Sequence, residues 1–211
     1  MKNIAIIPAR SGSKGLKDKN IKSFCGKPLM AYSIEAAIKS NRFEEIMVST
    51  DSEVYAEIAS KYGASIPFLR SVENSSDRAS SWDIVREILM KYKKINRRFD
   101  TVCLLQPTSP LRVSEDIVNA YRLYEFKRAT SVIGVCETEH SPLWTNILSD
   151  SLSMDEFIQE GSNVARQMLK TFYRINGAIY ITNVDSILKN ENIYMNSFAY
   201  IMPRERSVDI D

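Results

Sequence analysis

The chain has 211 residues, 44% of them hydrophobic and 26% charged, the profile of a globular protein with material for one large core. Its 28 basic and 26 acidic residues leave a formal net charge of +2, too weak a field to argue for nucleic acid or an anionic membrane as partner. No run reaches the roughly 18 apolar residues of a membrane span, and the first residues enter a strand pattern at once, so no signal peptide and a cytoplasmic location are expected. Cys25, Cys103 and Cys136 are an odd number without metal-ligand spacing; reduced thiols and no zinc are expected.

Ile4, Ala5, Ile6 and Ile7 form an apolar run without polar alternation, as in a strand covered on both faces of a parallel sheet. Pro8 closes the run, and a loop dense in Gly, Ser, Arg and Lys follows it. Its glycines allow tight turns that present backbone N–H groups, and Arg10 and Lys14 can neutralise phosphate oxygens. The order SGSKG fits neither GxxxxGK[ST] nor GxGxxG, so the loop by itself indicates a nucleotide or sugar phosphate, or a solvated basic turn.

Further along, PLMAYSIEAAIKS (28–40) has helical apolar spacing after a proline suited to a first turn. EIMVST (45–50) reads as a strand, and SEVYAEIASKYG (52–63) as a helix closed by a glycine. ASIPFL (64–69) predicts a short strand, SSWDIVREILMKY (80–92) a helix with a Ser or Asp cap, TVCLLQ (101–106) a strand and SEDIVNAYRLYEF (114–126) a helix. TSVIGVC (130–136) and NGAIYIT (176–182) read as strands, with another expected at AYIMP (199–203). This alternation predicts a three-layer, Rossmann-like α/β domain with a mostly parallel sheet, whose ligands sit at the carboxyl ends of strands. From about 137 to 174 the alternation lapses into a polar excursion carrying His140, Trp144 and Phe157, read as a surface or dimerisation insert within a single domain, 1–211.

Six ordered segments then carry a resemblance: IIPARSGSKGLKDKN (6–20), STDSE (49–53), LR with SDRASS (69–70, 76–81), LLQPTSPLR (104–112), RING with AIYI (174–181) and SVDID (207–211). Together they resemble the acylneuraminate cytidylyltransferases, over the whole chain from Ile4 onward. The resemblance implies a nucleotidyltransferase fold and transfer of CMP from CTP to the anomeric C2 hydroxyl of a sialic acid with release of pyrophosphate. It also implies a homodimer. By the same resemblance Arg10, Ser13 and Lys14 hold the phosphates and Asn20 the cytidine, Arg70 and Ser81 contact the nucleotide, and Gln106 binds the sugar acid. Asp51, which follows a strand, is by its position a candidate for supporting either the loop or the site. Arg166 is placed near the reacting groups, with Arg174 as its support, and Tyr180 either faces the sugar or fills the core. Lys14, Arg166, Asp209 and Asp211 are the expected catalytic group.

Asp209 and Asp211 lie on one side of the chain if the segment is extended. With the resemblance they are the expected ligands of Mg²⁺, or alternatively Mn²⁺. Arg112 reads as a cap or a solvent-exposed residue. No dedicated base stands out: His140 is assigned to the surface or a dimer, and a carboxylate at Asp209 or Asp211 is the alternative proton acceptor. Two departures from the family pattern stand out: Trp144 occupies a position where some members have lysine, and the sequence stops at Asp211, where members usually continue. Legionaminic, pseudaminic and KDO-type acids remain alternative acceptors, and a non-catalytic nucleotide-binding module is the alternative of another class.

Overall fold

The computed structural model describes residues 1–12, 15–71, 73–75, 80–158, 161, 164 and 166–210. Its centre is a six-stranded sheet in the order β4-β1-β5-β7-β6-β8. Strand β1 (Asn3–Pro8) lies between β4 (Glu45–Ser49) and β5 (Thr101–Leu104), parallel to both. Farther along, β6 (Ser131–Glu137) pairs in parallel with β8 (Ser197–Ile201). Between these two parallel sets runs β7 (Tyr173–Asn183), antiparallel to β5 and to β6. A two-residue ribbon, β2 (Ser23–Phe24) with β3 (Lys27–Pro28), stands apart from the sheet.

The apolar run of β1 is buried on both faces, as its lack of alternation predicts. Ala5 and Ile7 join a core formed with α1 (Leu29–Ser40), α2 (Glu53–Lys61) and α4 (Ser114–Lys127). Ile4 and Ile6 join a second core with α3 (Ser81–Lys94) and the short α5 (Val184–Leu188). The result is the expected three-layer α/β domain. Gly63 closes α2 at φ +92°, where a Cβ would stand 3.0 Å from Ile38 Cδ1, so both the turn and the packing favour glycine. Among the described residues no helix is long and apolar enough to cross a membrane.

Three expectations about elements need correction. Segment 64–69 is not a strand: Ser65 alone bridges to Met47, and two residues on Pro67 has no N–H with which to continue a ladder. Strand β5 stops at Leu104, leaving Gln106 in the turn beyond it. Helix α5 was not expected; its start is capped by the Asn183 side chain, which accepts from the amides of Asp185 and Ser186.

Candidate active site

The carboxyl ends of β1, β4, β5, β6 and β8 lie along one edge of the sheet. Because β7 runs the other way, its amino-terminal half reaches that same edge. Around the loop after β1, Ala9 donates its amide to the Ser49 carbonyl at 2.8 Å. Ser11 donates both its amide (2.8 Å) and its hydroxyl (3.0 Å) to the carboxylate of Asp51, just beyond β4. Asp51 therefore supports the loop, as its position predicted. The far end of the loop is fixed too: Asn20 is buried in a 3-10 turn, Lys19–Ile21, and its Nδ2 donates to the Arg10 carbonyl at 3.1 Å.

Arg70 lies buried behind this loop, giving Nε to Ser49 Oγ at 3.0 Å and Nη2 to the Ser49 carbonyl. Burial pulls its guanidinium down to about 10; Asp51 and Glu87 oppose the shift, and the neighbouring charge of Arg10 adds to it. It stays protonated at neutral pH, so Arg70 and Arg10 share the floor of the loop with the carboxylates of Asp51 and Glu87.

Gln106 occupies the turn after β5. Its carbonyl accepts from Ser33 Oγ, the Ser109 amide and Arg112 Nη1, each at 3.3 Å. Arg112 is neither a cap nor solvated: it is 2% exposed, its Nη1 donates to the Ala178 carbonyl at 2.6 Å, and its Nη2 donates to Ser33 Oγ. It ties α1, the Gln106 turn and β7 together. Among the described residues its Nε and the buried Ser109 hydroxyl have no hydrogen-bond partner.

The segment after β8 returns to the same edge. Asp116 is 1% exposed and takes a two-pronged ion pair from Arg206, at 3.0 Å from Nε and 2.9 Å from Nη2, with Tyr200 and the Val113 amide as further donors. Beyond this anchor the Ile210 amide donates to the Thr108 carbonyl at 2.9 Å, and Lys19 Nζ donates to the Ile210 carbonyl at 2.9 Å. Two loops and a tail, with Lys19 and Ile210 separated by 191 positions, thus meet beside exposed Asp209.

Tyr180 is half-buried, edge-to-face with Trp82 at 5.8 Å. Burial raises its pKa, and the charges of Tyr194 and Asp209 add to the shift. Ser81 is the first residue of α3, capped by Ser80 and Asp83 in a reciprocal pair. A cleft of about 670 Å³ adjoins the tail, lined by Cys136, Glu137, Arg174, Arg204, Ser207 and Asp209 among others. His140 is exposed in the excursion.

Of the expected site residues, Arg10, Asn20, Arg70, Gln106, Tyr180 and Asp209 are thus described along one edge, and Ser81 opens the helix whose next residue, Trp82, packs on Tyr180. Ser13, Lys14 and Asp211 lie outside the described residues, as does the side chain of Arg166, whose backbone opens a 3-10 turn, Arg166–Met168. Sequence reasoning missed Lys19, Arg112, Asn176 and Ser207. Lys19 lay inside a quoted motif, but its partner is too distant in the chain for any local signal.

A sheet of this winding, with a basic loop after its first strand, defines an open α/β protein of the kind whose ligands sit at the carboxyl ends of its strands. The chain belongs to the cytidylyltransferase family, whose profile matches residues 4–197. An N-acylneuraminate cytidylyltransferase of Streptococcus agalactiae serotype V (strain ATCC BAA-611 / 2603 V/R) is 40% identical over 214 residues, covering 100% of this chain and 51% of the relative. One of Escherichia coli O18:K1:H7 (strain RS218 / NMEC) is 41% identical, covering 100% and 49%. The chain therefore spans about half the length of these curated relatives. A protein of Legionella pneumophila subsp. pneumophila (strain Philadelphia 1 / ATCC 33152 / DSM 7513), named CMP-N,N'-diacetyllegionaminic acid synthase, is 36% identical, covering 100% of this chain and 91% of its own. Among solved structures, a CMP:2-keto-3-deoxy-manno-octonic acid synthetase complexed with CTP superposes with a TM-score of 0.71 at 16% identity, covering 96% and 90% of the two chains. That likeness concerns the fold.

Proposed function

We propose that this protein transfers CMP from CTP to the anomeric C2 hydroxyl of an N-acylneuraminate and releases pyrophosphate. The observation that carries the reading is the meeting of the basic first loop, the Gln106–Thr108 turn and the 207–210 tail through the Lys19–Ile210–Thr108 contacts. The named relatives at 40% and 41% identity support the choice of acid. The C2 oxygen attacks the α-phosphorus in line; the new P–O bond forms as the bond to the bridging oxygen of pyrophosphate breaks. Arg10 and Lys14 offset charge on the leaving pyrophosphate, and the hydroxyl proton passes to a carboxylate of the tail. Asn20 reads the cytosine with its amide, and Arg70 and Ser81 complete the nucleotide side. Gln106, with both a donor and an acceptor, orients the polyhydroxylated acid, with Tyr180 beside it. Arg166 meets the reacting groups.

Mg²⁺ or Mn²⁺ fits the donor set. Among the described residues no cation pairs with the exposed Asp209 carboxylate, a hard oxygen donor on a pinned segment, and Asp211 is its proposed companion. When bound, the ion would neutralise phosphate charge. We propose a homodimer formed through the 137–174 excursion, supported by the exposure of Ile147 at 92% and Leu152 at 71%, and a cytoplasmic setting for the reaction.

A legionaminate acceptor is the second reading, favoured by the relative matched over 91% of its length. Pyrophosphate release is followed with CTP, Mg²⁺ and a panel of nonulosonic and octulosonic acids. Fastest release with N-acetylneuraminate is expected. Faster release with legionaminate or pseudaminate moves the assignment within the family, and no release with any acid overturns it in favour of a nucleotide-binding module.

A further inference from the structure

One motif has no task in the proposed reaction: RING, 174–177, at the start of β7. Strand β7 pairs with β6 at Cys136↔Arg174 and Val135↔Ile175, and the register then jumps to Ile133↔Tyr180. Gly134 alone therefore stands opposite residues 176–179 of the partner strand. Such a bulge re-aims the side chains on either side of it.

On one side the bulge grips the tail. Asn176 is 2% exposed, and its Nδ2 donates to Ser207 Oγ at 2.9 Å. Its Oδ1 accepts from the Ala178 amide at 3.1 Å and fills the space over Gly134, where a Cβ would come within 2.7 Å of it. Arg174 Nη2 donates to the Ser207 carbonyl at 3.1 Å. On the other side, Gly177 has φ +73°, and a Cβ there would stand 2.7 Å from Gln106 Oε1. Arg112 clamps this side by holding the Ala178 and Gln106 carbonyls.

We propose that Arg174, Asn176 and Gly177 act as positioning residues, a bracket that sets the spacing between the Gln106 side chain and the 207–210 carboxylate tail. The assignment of an acceptor to Gln106 and of a cation to the tail rests on the function proposed above; the bracket itself rests on the contacts just given. The two arms work independently. Loss of the Ser207 contacts frees the tail and leaves Gln106 in place, whereas a side chain at 177 displaces Gln106 and leaves the tail in place.

Ser207→Ala and Gly177→Ala separate the arms. In Ser207→Ala, amide exchange over 207–210 is expected to quicken about tenfold, with a higher Mg²⁺ concentration for half-maximal rate and the acceptor KM unchanged. In Gly177→Ala, the acceptor KM is expected to rise about tenfold, with the CTP KM and the 207–210 exchange unchanged. Adding Gln106→Ala to Gly177→Ala should give the acceptor KM of Gln106→Ala alone, because the displaced group is gone. Equal losses on both substrates in both variants, or unchanged exchange in Ser207→Ala, would overturn the bracket. If the unmodified protein turns over no acid, the proposed function fails, and the bracket is still decided: by the 207–210 exchange, and by whether Gly177→Ala lowers the melting temperature less in a Gln106→Ala background than alone.

Discussion

Arg112 is the most constrained side chain of the site. Burial draws its guanidinium down to about 10, against the opposing charges of Cys103 and Asp116, so at neutral pH it is a buried cation held by carbonyls and a hydroxyl. Replacing it with alanine should cost about 1–3 kcal/mol in urea unfolding, because the Ala178 carbonyl loses the Arg112 donor and the Gln106 carbonyl keeps only Ser33 and Ser109. Lysine should recover little of this, since an ammonium cannot reproduce the guanidinium fork. Nothing near Arg112 in the sequence announces this role: its decisive partner, Ala178, lies 66 positions away. Asp51, by contrast, was legible, because a carboxylate just past a strand sits next to the neighbouring strand's loop. Glu87 supplies a pH dependence. Burial pushes its carboxyl up, but Lys91, Asn74 and Ser71 outweigh that and leave it below its ordinary value. Its stabilisation is therefore complete above the unfolded value and is lost as the pH falls through the lower folded one. Glu87→Gln should flatten the acid limb of the stability curve and speed exchange at the Ser71 amide, which donates to Glu87 at 3.2 Å.

Among the elements, α3 shows how local chemistry and tertiary demand can agree. Ser80 accepts from the Asp83 amide at 3.1 Å, and Asp83 accepts in return from the Ser80 amide and hydroxyl. The start of this helix was legible for that reason. Ser80→Ala should lower stability by about 1 kcal/mol, read as a shift in urea midpoint with an unchanged slope. Strand β7 shows the opposite case. NGAIYIT reads clearly as a strand, but its direction depends on which strands flank it, and periodicity holds no information about that. The RING bulge was hidden for the same reason: Asn176 and Gly177 read as ordinary strand residues until Gly134 and Gln106 are seen on either side of them.

Across the whole molecule the basic loop after β1 and the carboxylate tail are far apart in the sequence, and the contacts of Lys19 and Thr108 with Ile210 join them. Asp209→Ala combined with Asp211→Ala should lower Mg²⁺-dependent turnover by about 100-fold or more; full activity in that variant would discard the metal assignment. The proposed dimer has its own measurement: sedimentation should give twice the 24.1 kDa chain mass, and Ile147→Asp with Leu152→Asp should shift it toward the monomer. The three-layer architecture was readable from alternating strand and helix patterns. The assembly of the site was not, because its closing contacts join residues more than a hundred positions apart.

The place of β7 also bears on how the protein is made. Strands β5 and β6 never touch; each waits for β7, which lies 36 residues beyond the end of β6 at Glu137. A nascent chain that has emerged only that far carries an unpaired edge on β5 and unpaired edges on both sides of β6, the condition that invites association with other chains. Because β7, β8 and the 207–210 tail are all made late, the proposed ligand edge stays incomplete until each of them has emerged and joined the sheet.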